Sequence, residues 1–247
     1  MRIAFITDLH IDTDTEHTQG VDVRQNFLRV LATLADVKPH CLVLGGDLCN
    51  RTGDQAIYDW IRAETRKLPW PTYVVPGNHD DAALMAAAFR RENDLHGDEL
   101  YYAVSLDGFP ALFLDSSKGV FSEHQWAWLR DYMKLLRDNN LLIFMHHPPL
   151  PADMQSMDRI SPFTQTDEFL ELTRDLPCHV TVACGHYHID KVVQRGNLLT
   201  LLTPSTYVQL RPDTPDFVIS THQVGYRELN VSFHSVNSSV HYLDTPA

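Results

Sequence analysis

Aspartate, asparagine and histidine gather in five tight clusters: Asp8-Leu9-His10, Gly45-Gly46-Asp47, Pro76-Gly77-Asn78-His79-Asp80, His146-His147-Pro148-Pro149 and Gly185-His186-Tyr187-His188. Carboxylate and imidazole donors together suit zinc, manganese and iron, whereas an all-oxygen set would favour magnesium or calcium. In an extended segment residues i and i+2 share a face, so Asp8 with His10, and His186 with His188, are each expected to converge on one ion. Asp8, His10, Asp47, Asn78, His146, His186 and His188 are too many donors for one tetrahedral zinc. They fit two ions that share one carboxylate. Such a pair, about 3.5–4 Å apart, can lower the pKa of a bridging water and clamp the oxygens of an in-line displacement at phosphorus.

The elements that must position these residues follow from apolar patterning. Short buried runs at Arg2–Thr7, Cys41–Leu44, Thr72–Val75, Leu141–Met145 and His179–Ala183 read as strands, and each runs directly into one of the polar clusters. Helical periodicity falls between them, at Val23–Ala35, Gln55–Leu68, Ala82–Arg91 and Glu123–Leu136. Alternating strand and helix predicts an α/β protein with largely parallel strands in its first part. Tyr101–Leu106 and Phe109–Leu114, joined by Asp107-Gly108, read as a hairpin. After Gly196 strands dominate, at Leu198–Leu202, Asp216–Thr221, Tyr226–Phe233 and Ser239–Tyr242. The expected architecture is two mixed sheets packed as a sandwich between helices. Ligands of open α/β sheets bind beyond the carboxyl ends of strands, so the five clusters are expected to meet at one sheet edge.

The chain has 247 residues, and no stretch resembles a linker, so residues 1–247 are expected to form one domain. A net charge of −12 argues against a nucleic-acid polymer or an anionic membrane as partner. It also means that phosphate chemistry needs a local positive charge, which two divalent ions would supply. Met1 leads straight into the first strand, so no signal segment is expected, and no run is long enough to suggest a membrane-spanning helix. Cys41, Cys49, Cys178 and Cys184 form no tight pair, so reduced core thiols and a cytoplasmic location are expected.

Taken in order, the motifs DxH, GD, GNHD, HxP and GHxH resemble those of the calcineurin-like metallophosphoesterase superfamily. Within it the chain is similar to bacterial class III cyclic-nucleotide phosphodiesterases and their glycerophosphodiesterase relatives, through VVPGNHDD, IFMHHPPLP and LLTPSTYVQLRPDTPDF. The resemblance implies one metal on Asp8, His10, Asp47 and His188, and a second on Asp47, Asn78, His146 and His186. Iron or manganese, with zinc or cobalt as alternatives, would occupy these positions. It further implies that a hydroxide between the metals attacks, with no covalent enzyme intermediate. His79 would act on the scissile phosphate as proton donor or charge stabiliser, with His10, Asn78 and His188 also facing substrate. Asp80 is expected to orient a neighbouring histidine.

The implied reaction is hydrolysis of a 3′,5′-cyclic nucleotide, cAMP foremost. A glycerophosphodiesterase or broad phosphodiesterase is the alternative, and a non-catalytic scaffold of the same fold is an answer of another class. Relatives are often dimers, which makes a homo-oligomer an expectation. HxP spacing selects His146 over His147 as a ligand. Asp12 and Asp14 read as acidic loop residues, and Asp12 could lie by the metal rim. Arg90 and Arg91 read as a solvated helix face, and Trp60, Trp70, Trp126 and Trp128 as packing residues. His17, His40, His96, His124, His179, His222, His234 and His241 read as ordinary surface or hydrogen-bonding residues. Substrate recognition is expected from loops at Ile11–Gly20, Ala152–Thr166 and Ser205–Pro215.

Overall fold

A computed structural model of the chain describes residues 1–12, 18–136, 140–232 and 235–244. His17, Asp14 and His234 lie outside the described residues. The first strands and helices alternate as β1 (Arg2–Ile6), α1 (Val23–Val37), β2 (Cys41–Leu44), α2 (Gln55–Thr65), β3 (Thr72–Val74) and α3 (Ala82–Phe89). Two short strands, β4 (Leu95–His96) and β5 (Glu99–Leu100), precede the expected hairpin of β6 (Tyr102–Leu106) and β7 (Phe109–Phe113). Asp107 and Gly108 turn it with φ of 51° and 86°, the left-handed pair that matches strand twist.

Next come α4 (Glu123–Met133), β8 (Leu141–Phe144), the single turn α5 (Met157–Ile160), α6 (Thr166–Arg174) and β9 (Val180–Cys184). The chain then forms β10 (Lys191–Arg195), β11 (Leu198–Leu202), β12 (Gln209–Leu210), β13 (Ile219–Thr221), β14 (Gly225–Ser232) and β15 (Ser235–Tyr242). Helix starts are fixed by side-chain caps: Asp22, Asp54, Asp81 and Ser122 each accept from a backbone N–H in the first turn of α1, α2, α3 and α4.

One sheet has the order β15-β14-β1-β2-β3, with β1, β2 and β3 parallel. The other runs β10-β11-β9-β8-β7-β6, with β7, β8, β9 and β11 parallel. Every residue of β2, β8 and β9 is buried, so both faces of the central strands are covered. On one face the sheets pack together: Phe5 of β1 stacks on Phe144 of β8 at 5.8 Å, and Tyr73 of β3 lies 5.2 Å from Phe113 of β7. Each such aromatic pair adds about 0.5–1.5 kcal/mol beyond the area it buries. The Tyr102 hydroxyl pins the same seam by donating to the Val74 carbonyl at 2.8 Å. On the outer faces Phe27 of α1 meets Trp60 of α2, and Trp126 of α4 meets Phe169 of α6.

This is the expected sandwich, with differences at the level of elements. Sequence patterning missed α5, α6, β4, β5, β10 and β12. β10 is an exposed edge whose composition shows little alternation, and it is held by antiparallel register to β11. Only Ile219–Thr221 of the expected strand Asp216–Thr221 pairs as a strand, because the chain bends at Pro215 and Asp216. The last strand starts earlier than expected, at Ser235, because β14 supplies partners along its whole length.

Candidate metal centre

β1, β2, β3, β8 and β9 all end where a polar cluster begins, and the backbone there leaves the strand conformation. Asp8, His10, Asp47, His186 and His188 have φ of 56°, 47°, 50°, 68° and 49°, in the left-handed region. The premise of an extended Asp8–His10 and His186–His188 therefore fails. These side chains converge because alternate residues are turned left-handed, at a cost of order 1–3 kcal/mol each. The turns persist because they are hydrogen-bonded on both sides. Asp8 N–H donates to Gly46 O at 2.9 Å, and His10 N–H to Asp47 O at 3.0 Å, which continues the β1–β2 ladder into the loops. Gly46, at φ 94°, lies so close to His146 that a Cβ there would fall 2.6 Å from Nδ1. A Cβ on Gly185 would fall 2.3 Å from Asp8 Oδ2, so this position needs glycine for close approach rather than for a left-handed turn.

The donor atoms form two adjacent buried groups. Atoms of Asp8, His10 and His188 lie within 4.8 Å of one another, as do those of Asp47, His146 and His186. His188 Nε2 is 3.1 Å from Asp8 Oδ1, and His10 Nε2 is 3.2 Å from His188 Nε2. Asp47 Oδ2 stands 3.3 Å from His146 Nε2 and 3.8 Å from His10 Nε2, so this oxygen joins the groups. Asn78 lines the same cavity from its exposed rim. His10, Asp47 and His79 form a third close group, so distance alone allows His79 near a cation as well as near substrate.

Backbone carbonyls set the imidazole tautomers. His146 Nδ1 lies 2.8 Å from Gly45 O, His188 Nδ1 2.9 Å from Val208 O, and His186 Nε2 2.8 Å from Ser161 O. Each of these ring nitrogens faces a pure acceptor and must carry a hydrogen, so in the neutral ring it is the opposite nitrogen that offers its lone pair to the ligand cluster. His146 Nε2 is buried without a hydrogen-bond partner. Lone pairs facing carboxylates at these distances call for cations between them, and the donor set fits a pair of divalent transition metals.

Protonation tells the same story. Burial alone would lower His146, but the facing Asp47 carboxylate outweighs it and holds this imidazole up at about 9, with the proton standing where a cation would. Burial pushes His10 down to about 3 and His186 to about 4, so both are neutral and ready to ligate. Burial would raise Asp8, yet the His188 charge overrides it and keeps the carboxyl at about 2.

Several expected roles shift. Asp80 does not orient a histidine. Its oxygens accept from the backbone N–H of Leu48, Cys49 and Gly77 and from the Tyr58 hydroxyl, which stitches the loop after β2 to the loop after β3. His147 is buried beside Ser116, 4.0 Å from the His186 ring, and belongs to neither ligand group. Asp12 accepts from Asn50, which does line the cavity. Arg90 and Arg91 lie beyond the end of α3, and Arg91 stacks on Tyr102 at 4.4 Å. In the late segment, Ser205 and Thr206 are buried and donate to the Asp8 carbonyl, so they back the metal loop rather than meet substrate. Sequence reasoning also missed Tyr207, whose ring lies 5.3 Å from that of His10. Its aromatic type inside a polar stretch was the available signal. The four cysteines are buried, and Cys41, Cys49 and Cys184 are free thiols.

The cavity measures about 300 Å³ and includes His10, Asp47, Asn78, His79, His186 and His188. Residues 1–190 match the calcineurin-like phosphoesterase family, and the chain belongs to it. It is a metal-dependent phosphoesterase. A probable cyclic nucleotide phosphodiesterase of Fibrobacter succinogenes is 30% identical, across 100% of this chain and 95% of that protein. The cAMP phosphodiesterase CpdA of Escherichia coli K12 is 27% identical over 94% of this chain and 85% of its own, and the glycerophosphodiester phosphodiesterase GpdQ of Enterobacter lignolyticus 29% over 85% and 79%. Among solved structures, a dimetal phosphatase from Danio rerio superposes with a TM-score of 0.67, covering 93% of this chain and 94% of that one at 14% identity. No helix among the described residues is long and apolar enough to cross a membrane.

Proposed function

We propose that this chain hydrolyses 3′,5′-cyclic nucleotides, cAMP foremost, to nucleoside monophosphates. The observation that carries the reading is the single Asp47 oxygen between two buried histidine–aspartate groups on one cavity floor. Relatives named as cyclic-nucleotide phosphodiesterases support the substrate. Asp8, His10, Asp47 and His188 hold one ion, and Asp47, Asn78, His146 and His186 the other. The family resemblance implies iron or manganese there, and zinc and cobalt are tolerated by the same ligands. Bound there, the ions supply a hydroxide at neutral pH and charge to offset the phosphoryl oxygens.

The chain's own residues do the rest. His79 stands half-buried at the cavity with Nδ1 3.2 Å from the Arg51 carbonyl, so Nδ1 carries one hydrogen, and Nε2 protonates the leaving alkoxide when it carries a second. His10, Asn78 and His188 border the phosphate as well as the metals. Free thiols at Cys41, Cys49 and Cys184 favour the cytoplasm as the working compartment. Initial rates of the manganese-loaded protein on cAMP, cGMP, glycerophosphodiesters and bis-p-nitrophenyl phosphate, beside a chelated control, test the reading. Preference for the cyclic nucleotides supports it. Faster turnover of glycerophosphodiesters, the substrate class named for the GpdQ relative, replaces it with that activity.

A further inference from the structure

The cavity has a second character that the metal chemistry leaves unused. Besides the histidines its lining includes an apolar set, Met157 and Ile160 from one loop and Phe217 and Ile219 from another. Ile160 and Phe217 are 57% and 59% exposed, which is unusual for large apolar side chains at the mouth of a polar site. Met157 and Ile160 bracket the single turn α5, where a spacing of three places them on one face.

The wall is a built unit. Gln155 N–H donates to Pro212 O at 3.1 Å, and the Arg159 guanidinium to Pro215 O at 2.9 Å, so the two loops are tied to each other. The first loop is also tied to the metal ligands. Asp158 accepts from the Tyr187 hydroxyl at 2.8 Å, and the Ser161 carbonyl accepts from His186. These loops are thereby anchored to the segment that carries His186.

We infer that Phe217, with Ile160 and Ile219, forms a shelf on which the nucleobase lies while the cyclic phosphate reaches the metal ligands. Ligand pockets pair an apolar wall that carries most of the contact area with a few placed polar groups, and this cavity has that division. Every base offers a flat π-face to an aromatic ring, so stacking fits the exposed Phe217 and is tolerant of base identity. A glycerol diester has no such face and gains nothing from the wall. The inference rests on the proposed cyclic-nucleotide reading and adds the residues that select for it.

The test compares cAMP with ribose 3′,5′-cyclic phosphate, which lacks the base, on the manganese-loaded full chain. In wild type the KM for cAMP is expected to be lower than that for the base-free compound. Phe217→Ala should raise KM for cAMP about tenfold, the loss of one base–aromatic contact. The base-free compound should be unaffected, and Phe217→Tyr should restore cAMP. Ile160→Ala should act in the same direction with a smaller effect. Equal wild-type KM values, or a Phe217→Ala change that strikes both substrates alike, would overturn the shelf while leaving cyclic-nucleotide hydrolysis standing. A wild type that cleaves neither compound but cleaves other diesters would instead remove the substrate reading and the shelf with it.

Discussion

The backbone N–H of His79 donates to Oδ1 of Asp47 at 2.9 Å. That bond engages one oxygen of the carboxylate with the loop after β3 and leaves Oδ2 to face His146 and His10 from between them. Position and charge are thus divided between the two oxygens of one side chain. Asp47→Ala is expected to lose both ions and nearly all activity, measured by elemental analysis of the purified protein. Asp47→Asn keeps an acceptor for His79 and separates loop anchoring from metal bridging. Full activity in either variant would remove the shared-ligand role.

His79 is close enough to His10 and Asp47 to be mistaken for a ligand. As a proton donor or charge stabiliser, it should contribute about 10²–10⁴ in turnover. His79→Ala should show that loss in kcat with metal content kept. Metal lost in step with activity would make it a ligand.

Proton and cation compete for His146. Its metal-free pKa of about 9 lies above the ordinary 6.5, so below about 9 a proton must leave before Nε2 can ligate. Affinity for the ion at this position should rise with pH up to about 9 and level off above it. By the same sign, the charged imidazole stabilises the metal-free fold fully below about 6.5, and this contribution is lost as pH rises through about 9. Calorimetric titration of the metal-free protein at pH 7, in buffers of different ionisation enthalpy, should register proton release on metal uptake. A pH-independent affinity between 6 and 9 would contradict this (a window set by the His146 shift).

Asp80 gathers four donors from three segments. Asp80→Ala strands the Leu48 and Gly77 N–H groups, and each buried donor left unpaired costs about 1–3 kcal/mol. Urea denaturation should show that loss, together with weaker metal binding, because Asp47 and Asn78 sit on the loops that Asp80 joins. Wild-type stability in this variant would make the stitch ornamental.

Much of this was legible in the sequence because residue type and position carried it. Asp8, Asp47 and His186 each follow a buried apolar run within a few residues, and parallel pairing then brings the strand ends together. What stayed hidden was carried by the backbone. The carbonyls of Gly45, Ser161 and Val208 fix three histidine tautomers, yet a carbonyl leaves no mark on residue identity. The left-handed turns were equally silent, because aspartate and histidine there read as ordinary extended residues. Ser205 and Thr206 misled in the other direction: they open a loop expected to recognise substrate, whereas burial makes them props for Asp8.

Those turns bear on how such a protein can change. At Asp8, His10, Asp47, His186 and His188 the backbone prefers glycine or asparagine on steric grounds alone. A library randomised at these positions and screened only for solubility or melting temperature should therefore enrich inert variants. Screening for catalysis should return the native residues at lower stability. Drift away from enzymatic work would be downhill for the fold, which gives a physical route by which an active member of such a lineage becomes a mere binding platform.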